Sequence, residues 1–139
     1  MSIIRVIILI FLATGVFYII VLNVFIRKSN HVQILNVDDF EKQLATTKEA
    51  QLIDVRTSRE FKKYRIESAK NIDYLSITFR RDLKKLDKTK PVLVYCHSGY
   101  RSKMVLPILS RKGFTSIYEL NTGFSGWLKA QKAIEQCYK

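Results

Sequence analysis

Apolar and polar residues follow three rhythms along this chain, and each predicts a different kind of element. From Val6 to Ile26 the chain is apolar without period and carries no charge; Thr14, Gly15 and Asn23 are its main polar or small interruptions. At ~1.5 Å rise per residue, a helix of that run is ~31 Å long, close to the ~30 Å hydrocarbon core of a bilayer. Further on, apolar residues come in short bursts: Gln51 to Val55, Pro91 to Tyr95 and Ser116 to Leu120. Bursts of this length read as buried strands, the second with Pro91 at its start, where a missing N–H is tolerated. In the third rhythm apolar residues recur about one helical turn apart. This predicts a helix over Val37 to Leu44 with Asn36 as its N-cap, and a brief helix capped by Ser58 through Glu60, Phe61 and Tyr64. Another is predicted from Ser76 through Ile77, Phe79, Leu83 and Leu86 to about Asp87, and one from Arg101 to Lys112 with Gly113 as its stop. The last runs from Phe124 towards Gln136, while Ala69 to Ile72 reads as extended.

Strands and helices thus alternate, and the strands are apolar enough to be covered on both faces. The pattern predicts an α/β fold with a mainly parallel central sheet sandwiched by helices. It divides the chain into an anchor at residues 1–28, a polar linker at 29–36 and a folded domain at 37–139. In such sheets ligands bind outside the carboxyl ends of the strands. Cys96 follows the most apolar strand directly.

The uncharged run is expected to be a retained single-pass anchor. A cleaved signal peptide would have a shorter apolar core and a small-residue cleavage site, and here the run meets Arg27 and Lys28 with no Ala-x-Ala pattern. Arg27, Lys28, Lys42 and Lys48 follow it and only Arg5 precedes it, so the positive-inside rule puts the domain on the cytoplasmic side. The chain holds 24 Lys plus Arg against 12 Asp plus Glu, a formal charge of +12. These cations are scattered through helical stretches such as Arg80 to Lys85 without stacking aromatics. That reads as a solvated face drawn to anionic headgroups, and no nucleic-acid partner is expected. Two cysteines, Cys96 and Cys137, make neither a zinc-ligand spacing nor a disulfide framework, so no metal and no cofactor is expected.

The chemistry concentrates in Tyr95-Cys96-His97-Ser98-Gly99-Tyr100-Arg101-Ser102. A buried strand delivers a cysteine into a tight loop and a helix begins at once. Inward-pointing amides make such a loop an anion nest, and the helix dipole adds to it. Gly99 permits the backbone angle that curls the loop, Arg101 adds a full positive charge, and the Ser98 and Ser102 hydroxyls can donate. All of this favours thiolate over thiol, and the thiolate is the nucleophile. A small buried cysteine ending a core strand is the bland alternative, which the following Gly, Arg and Ser disfavour.

At these residues the chain resembles the rhodanese-like family, over about Val37 to Lys129. Leu52-Ile53-Asp54-Val55-Arg56 with Glu60-Phe61 is similar to the family's early signature, and Ile66, Ala69, Asn71 and Ile72 to the segment after it. Val94-Tyr95-Cys96 and Gly99-Tyr100-Arg101-Ser102 resemble its active-site loop; Gly113-Phe114 and Leu120, Gly123, Phe124 and Trp127 resemble its closing elements. The resemblance implies a three-layer sandwich in which Cys96 accepts a sulfane sulfur, becomes a persulfide and passes the sulfur to a thiol or cyanide. It implies that His97, Ser98, Gly99, Tyr100, Arg101 and Ser102 bind a small anionic donor such as thiosulfate. Asp54, Arg56 and Glu60 then become scaffold residues linked by ion pairs behind the loop.

The chain departs from that pattern in three places. Tyr64-Arg65-Ile66 and Ser68-Ala69 stand where the family has Gly-His-Ile and Gly-Ala, and Thr122-Gly123 where it has Gly-Gly. Pro107 inside the helix after the loop predicts a kink. Arg65 is expected either near the mouth of the site or in solvent. His97 is read as pointing to solvent, with a general-base role as the alternative, and Cys137 as incidental. Two other functions compete with sulfur transfer: a cysteine-dependent phosphatase, and a membrane-tethered binding or sensing module without turnover.

Overall fold

The computed structural model describes residues 14–18 and 32–136. Residues 14–18 are helical (α1) and exposed. The rest of the expected anchor, Val6 to Ile26, lies outside the described residues, as does Cys137. Among the described residues no helix is long and apolar enough to cross a membrane.

From Val32 onward the order is β1 (Val32–Leu35), α2 (Val37–Thr46), β2 (Gln51–Asp54), α3 (Ser58–Lys63), β3 (Tyr64–Arg65) and β4 (Lys70–Asn71). It continues with α4 (Phe79–Asp82), a 3-10 turn (Leu83–Lys85), β5 (Val92–Tyr95), α5 (Tyr100–Arg111), β6 (Ile117–Leu120), α6 (Gly123–Lys129) and β7 (Glu135–Gln136). Five strands form one sheet in the order β1-β6-β5-β2-β4, and every pairing in it is parallel. Parallel neighbours need crossovers, and the helices that supply them cover both faces. On one face Val105, Leu106 and Leu109 of α5 and Phe79 of α4 pack on Ile53, Val92, Val94 and Ile117. On the other, Phe40 of α2 and Phe124 and Trp127 of α6 pack on Leu52, Leu93, Tyr95 and Leu120. The fold is the three-layer α/β sandwich the sequence pattern implies.

Local chemistry sets the boundaries. Asn36 caps α2 by accepting the Asp39 N–H at 2.9 Å. The cap of α3 is Thr57, one residue before the Ser58 expected: Thr57 Oγ1 accepts the Glu60 N–H while Glu60 Oε2 accepts the Thr57 N–H. Three expected elements differ. A strand, β1, occupies Val32–Leu35 in the stretch read as linker, because β6 offers it an edge to pair with. The helix expected from Ser76 shrinks to α4 and a 3-10 turn, since Ser76 Oγ accepts the Thr78 N–H and holds a turn first. The last helix stops at Lys129: Gln131 takes φ +54, and the chain folds back so that β7 pairs antiparallel with β3. α5 continues across Pro107 to Arg111.

Candidate functional site

The site grows from β5. Val92, Leu93, Val94 and Tyr95 are fully buried in the central part of the sheet, and the chain leaves the strand at Cys96, a free thiol with 1% exposure. Gly99 then takes φ +90, and a Cβ there would run into the Asn121 carbonyl, so only glycine fits the turn. The curl brings the Gly99 N–H to 3.2 Å from Cys96 Sγ. Ser102, fully buried on the first turn of α5, places its hydroxyl oxygen 3.5 Å from the same sulfur.

The other edge of the loop is held by α6. The Cys96 carbonyl accepts the Phe124 N–H at 2.7 Å, and the His97 carbonyl accepts the Ser125 N–H at 2.9 Å. Gly123, at φ +58, makes this approach possible: a Cβ would lie 2.6 Å from the Cys96 and His97 carbonyl oxygens. The first turn of α6 therefore takes the loop's two leading carbonyls, and an amide is left for the sulfur. With α5 starting at Tyr100, negative charge on Cys96 sits at a helix N-terminus.

Behind the loop lies a buried ion pair. Arg56 Nη2 is 2.6 Å from Asp54 Oδ2, Arg56 Nε bonds both Asp54 oxygens, and Arg56 Nη2 also donates to the Tyr64 carbonyl. The guanidinium stacks 4.1 Å from the Phe124 ring centre, so it braces the α6 turn that holds the loop. Beneath it the Tyr95 hydroxyl accepts the Ile66 N–H, and burial pushes that phenol above its ordinary range. Glu60 was expected to join this pair. It instead grips Arg101 in a fork, Oε2–Nη1 at 2.8 Å and Oε1–Nη2 at 3.0 Å. That fork, with the Thr57 hydroxyl and amide, holds the Glu60 carboxyl at about 2 against an ordinary 4.5. Arg101 in turn is held firmly cationic, by Glu60 first and by negative charge on Cys96 as well. It is thus a fixed charge near the sulfur, and among the described residues no hydrogen bond joins the two.

The remaining predicted residues divide by exposure. His97, Ser98 and Tyr100 are exposed on the solvent side of the loop, and among the described residues no side-chain hydrogen bond links any of them to Cys96. Arg65 pairs with Glu135 across the β3–β7 ribbon at 2.8 Å and lies over the Phe61 ring. Sequence reasoning passed over the loop contacts of Gly123 and the buried Glu119 of β6, whose Oε1 stands 2.6 Å from Ser102 Oγ. Strand alternation held the signal for Glu119, since it shares the inward face of Ile117. Among the described residues no group of three or more His, Cys, Asp or Glu could hold a metal. A nucleophile ringed by one amide, one hydroxyl and nearby positive charge suits transfer of a small electrophilic atom.

A model of the rhodanese-like domain matches residues 36–130. The Bacillus subtilis (strain 168) protein YqhL is 34% identical over 91% of this chain and 97% of its own length. A thiosulfate sulfurtransferase, GlpE of Shewanella oneidensis, is 28% identical over 63% of this chain and 85% of its own. Among solved structures, a rhodanese-related protein of Thermoplasma volcanium superposes with a TM-score of 0.65. It is 23% identical and covers 74% of this chain and 97% of that one.

Proposed function

The chain belongs to the rhodanese-like domain family, and on that footing we propose that it is a sulfurtransferase or persulfide carrier working through Cys96. The observation that carries this reading is the thiol itself: buried at the carboxyl end of β5, with the Gly99 amide and the Ser102 hydroxyl both directed at its sulfur. Donors so placed stabilise a thiolate and, one atom further out, the terminal sulfur of a persulfide. The Cys96 thiolate attacks the outer sulfur of a thiosulfate-like donor; its S–S bond breaks, and sulfite leaves with the electron pair. A thiol or cyanide acceptor then attacks the terminal sulfur of the persulfide, and Cys96 regains the electron pair as a thiolate. Arg101, held by Glu60, supplies positive charge for the anionic donor; Gly99, Ser102 and the exposed His97, Ser98 and Tyr100 line its approach.

The finer reading adds the membrane. Val6 to Ile26 serves as a single spanning helix with the domain on the cytoplasmic side, supported by the uncharged run and by the cations that follow it. Release from membranes by alkaline washing refutes the span, and digestion of the domain only from the non-cytoplasmic face refutes the orientation. The chemical reading is tested by intact mass after exposure to thiosulfate. Cys96 is expected to gain one sulfur atom, lost again on adding a thiol; a chain that never gains it is not a carrier of this kind.

A further inference from the structure

Glu119 is a fully buried carboxyl group on β6, and the sulfur chemistry above makes no use of it. Its Oε1 lies 2.6 Å from Ser102 Oγ, and among the described residues its Oε2 meets no hydrogen-bond partner. The same Ser102 Oγ lies 3.5 Å from Cys96 Sγ and 3.1 Å from the Gly99 carbonyl oxygen. A hydroxyl has one proton, so three acceptors compete for it. The charge on Glu119 decides the outcome. Ionised, it is the strongest acceptor and takes the proton, so that Ser102 turns a lone pair to the sulfur. Protonated, it donates to Ser102 Oγ, and the hydroxyl proton is released towards Cys96.

Two facts favour the protonated state. An ionised oxygen buried without a donor has given up its water and gained no bond in exchange, and an ionised Glu119 would leave Oε2 in that position. Burial raises the Glu119 pKa, with the Ser102 hydroxyl and the Lys103 charge opposing it only in part. The surroundings supply little else. The residues in register on either side are Ile34 of β1 and Val94 of β5, neither ionisable. Lys103 of α5 is bonded to Asn121 Oδ1 at 2.8 Å, and Arg101 is taken by Glu60. Among the described residues, the ionisable group left to couple with Glu119 through Ser102 is Cys96.

We propose that Glu119 is a positioning residue for Cys96: protonated, it donates to Ser102 Oγ and so commits the Ser102 hydroxyl proton to the sulfur. No bond is made or broken; one hydroxyl is turned, and the thiolate gains a second donor beside the Gly99 amide. The use of this positioning rests on the sulfur-transfer reading; its geometry does not.

The test is the pH profile of iodoacetamide alkylation on the full-length chain, carried in a Cys137→Ser background without any sulfur donor. Glu119→Gln keeps an N–H for Ser102 and is expected to leave the midpoint where the parent has it. Glu119→Leu removes the donor, so the Ser102 proton is free to turn to the Gly99 carbonyl; the midpoint is expected to move to higher pH, with alkylation about fivefold slower below it. In a Ser102→Ala chain the Leu change is expected to alter the rate less than twofold, because the link is gone. A Leu variant that matches the parent overturns the proposal, and so does a Gln variant with a lower midpoint, which signifies an ionised Glu119, or an equal effect in the Ser102→Ala chain. Should a variant not fold, infrared difference spectra of the parent before and after alkylation decide: a carboxylic-acid C=O band must shift, and its indifference overturns the positioning. A chain that shows these shifts but gains no sulfur from thiosulfate supports the positioning and refutes the sulfur-carrier reading alone.

Discussion

Replacing Glu60 by Gln isolates the Glu60–Arg101 fork, and its effect follows from the geometry. Both nitrogen–oxygen distances, 2.8 and 3.0 Å, are those of a bidentate charged pair. Gln keeps an oxygen for the Thr57 N–H, so the cap of α3 survives and the change reads the ion pair. A carboxyl held at about 2 in the fold against an ordinary 4.5 bounds the stabilisation at ~3 kcal/mol. The pair is a fifth to a third open to solvent, and screening brings that to ~1–2 kcal/mol. For a domain of this size, ~1 kcal/mol moves Tm by ~4–8 °C. The sign follows from the depressed value: the stabilisation is complete above the unfolded carboxyl's 4.5 and is lost as pH falls towards about 2. Thermal melts of parent and variant, followed by circular dichroism from pH 7 to 2, are therefore expected to differ by ~5–10 °C near neutrality and to converge at the acid end. An equal gap at both ends, or none at pH 7, refutes the reasoning.

Four further outcomes are expected. Cys96→Ser abolishes sulfur transfer from thiosulfate and leaves the melting curve nearly unchanged, as a serine hydroxyl is too weak an acid to attack; residual transfer would assign the nucleophile elsewhere. Gly123→Ala forces a Cβ to 2.6 Å from the Cys96 and His97 carbonyl oxygens at φ +58, so denaturant titration is expected to show a loss of ~2–4 kcal/mol together with altered thiol alkylation. Ser68 stands at φ +63, a left-handed angle that glycine adopts freely, and Ser68→Gly is expected to raise stability by ~1 kcal/mol in the same titration. From Cys96 to Arg101 the loop leaves four intervening residues, and Arg101 is forked to Glu60 rather than free to span two phosphoryl oxygens, so aryl phosphates are expected not to be hydrolysed. Cys96-dependent phosphate release without persulfide would show the phosphatase reading to be correct.

What the sequence disclosed was what short-range rules govern. The apolar run of β5, the thiol at its end, the glycine that curls the loop and the cap at Asn36 are each written in a few adjacent residues. What escaped it depends on partners distant in the chain. β1 is a half-exposed edge strand whose reason to extend is β6, more than eighty positions later. β7 interrupts a helical pattern because β3 awaits it. Glu60 carried the signature of a scaffold residue, yet proximity in sequence to Asp54 and Arg56 suggested the wrong partner: α3 turns its carboxylate outward to α5. Glu119 was legible in principle, as an acid on the inward face of a strand, but an isolated charge in an apolar stretch does not say which hydroxyl it meets.

The two glycines of the site have a consequence for anyone seeking to transplant it. Gly99 abuts the Asn121 carbonyl and Gly123 abuts the carbonyls of Cys96 and His97, so the loop and the β6–α6 turn meet backbone to backbone with no side chain between them. Side chains at an interface can be recut to absorb a mismatch; bare backbone has nothing to trim. The cysteine loop is therefore half of a cassette, and its length is not an independent variable. A graft carrying only residues 96–102 into another scaffold, or a single residue inserted there to widen the ring, would leave it without its mould. The modular unit is the loop and the turn together, exchanged as a matched set.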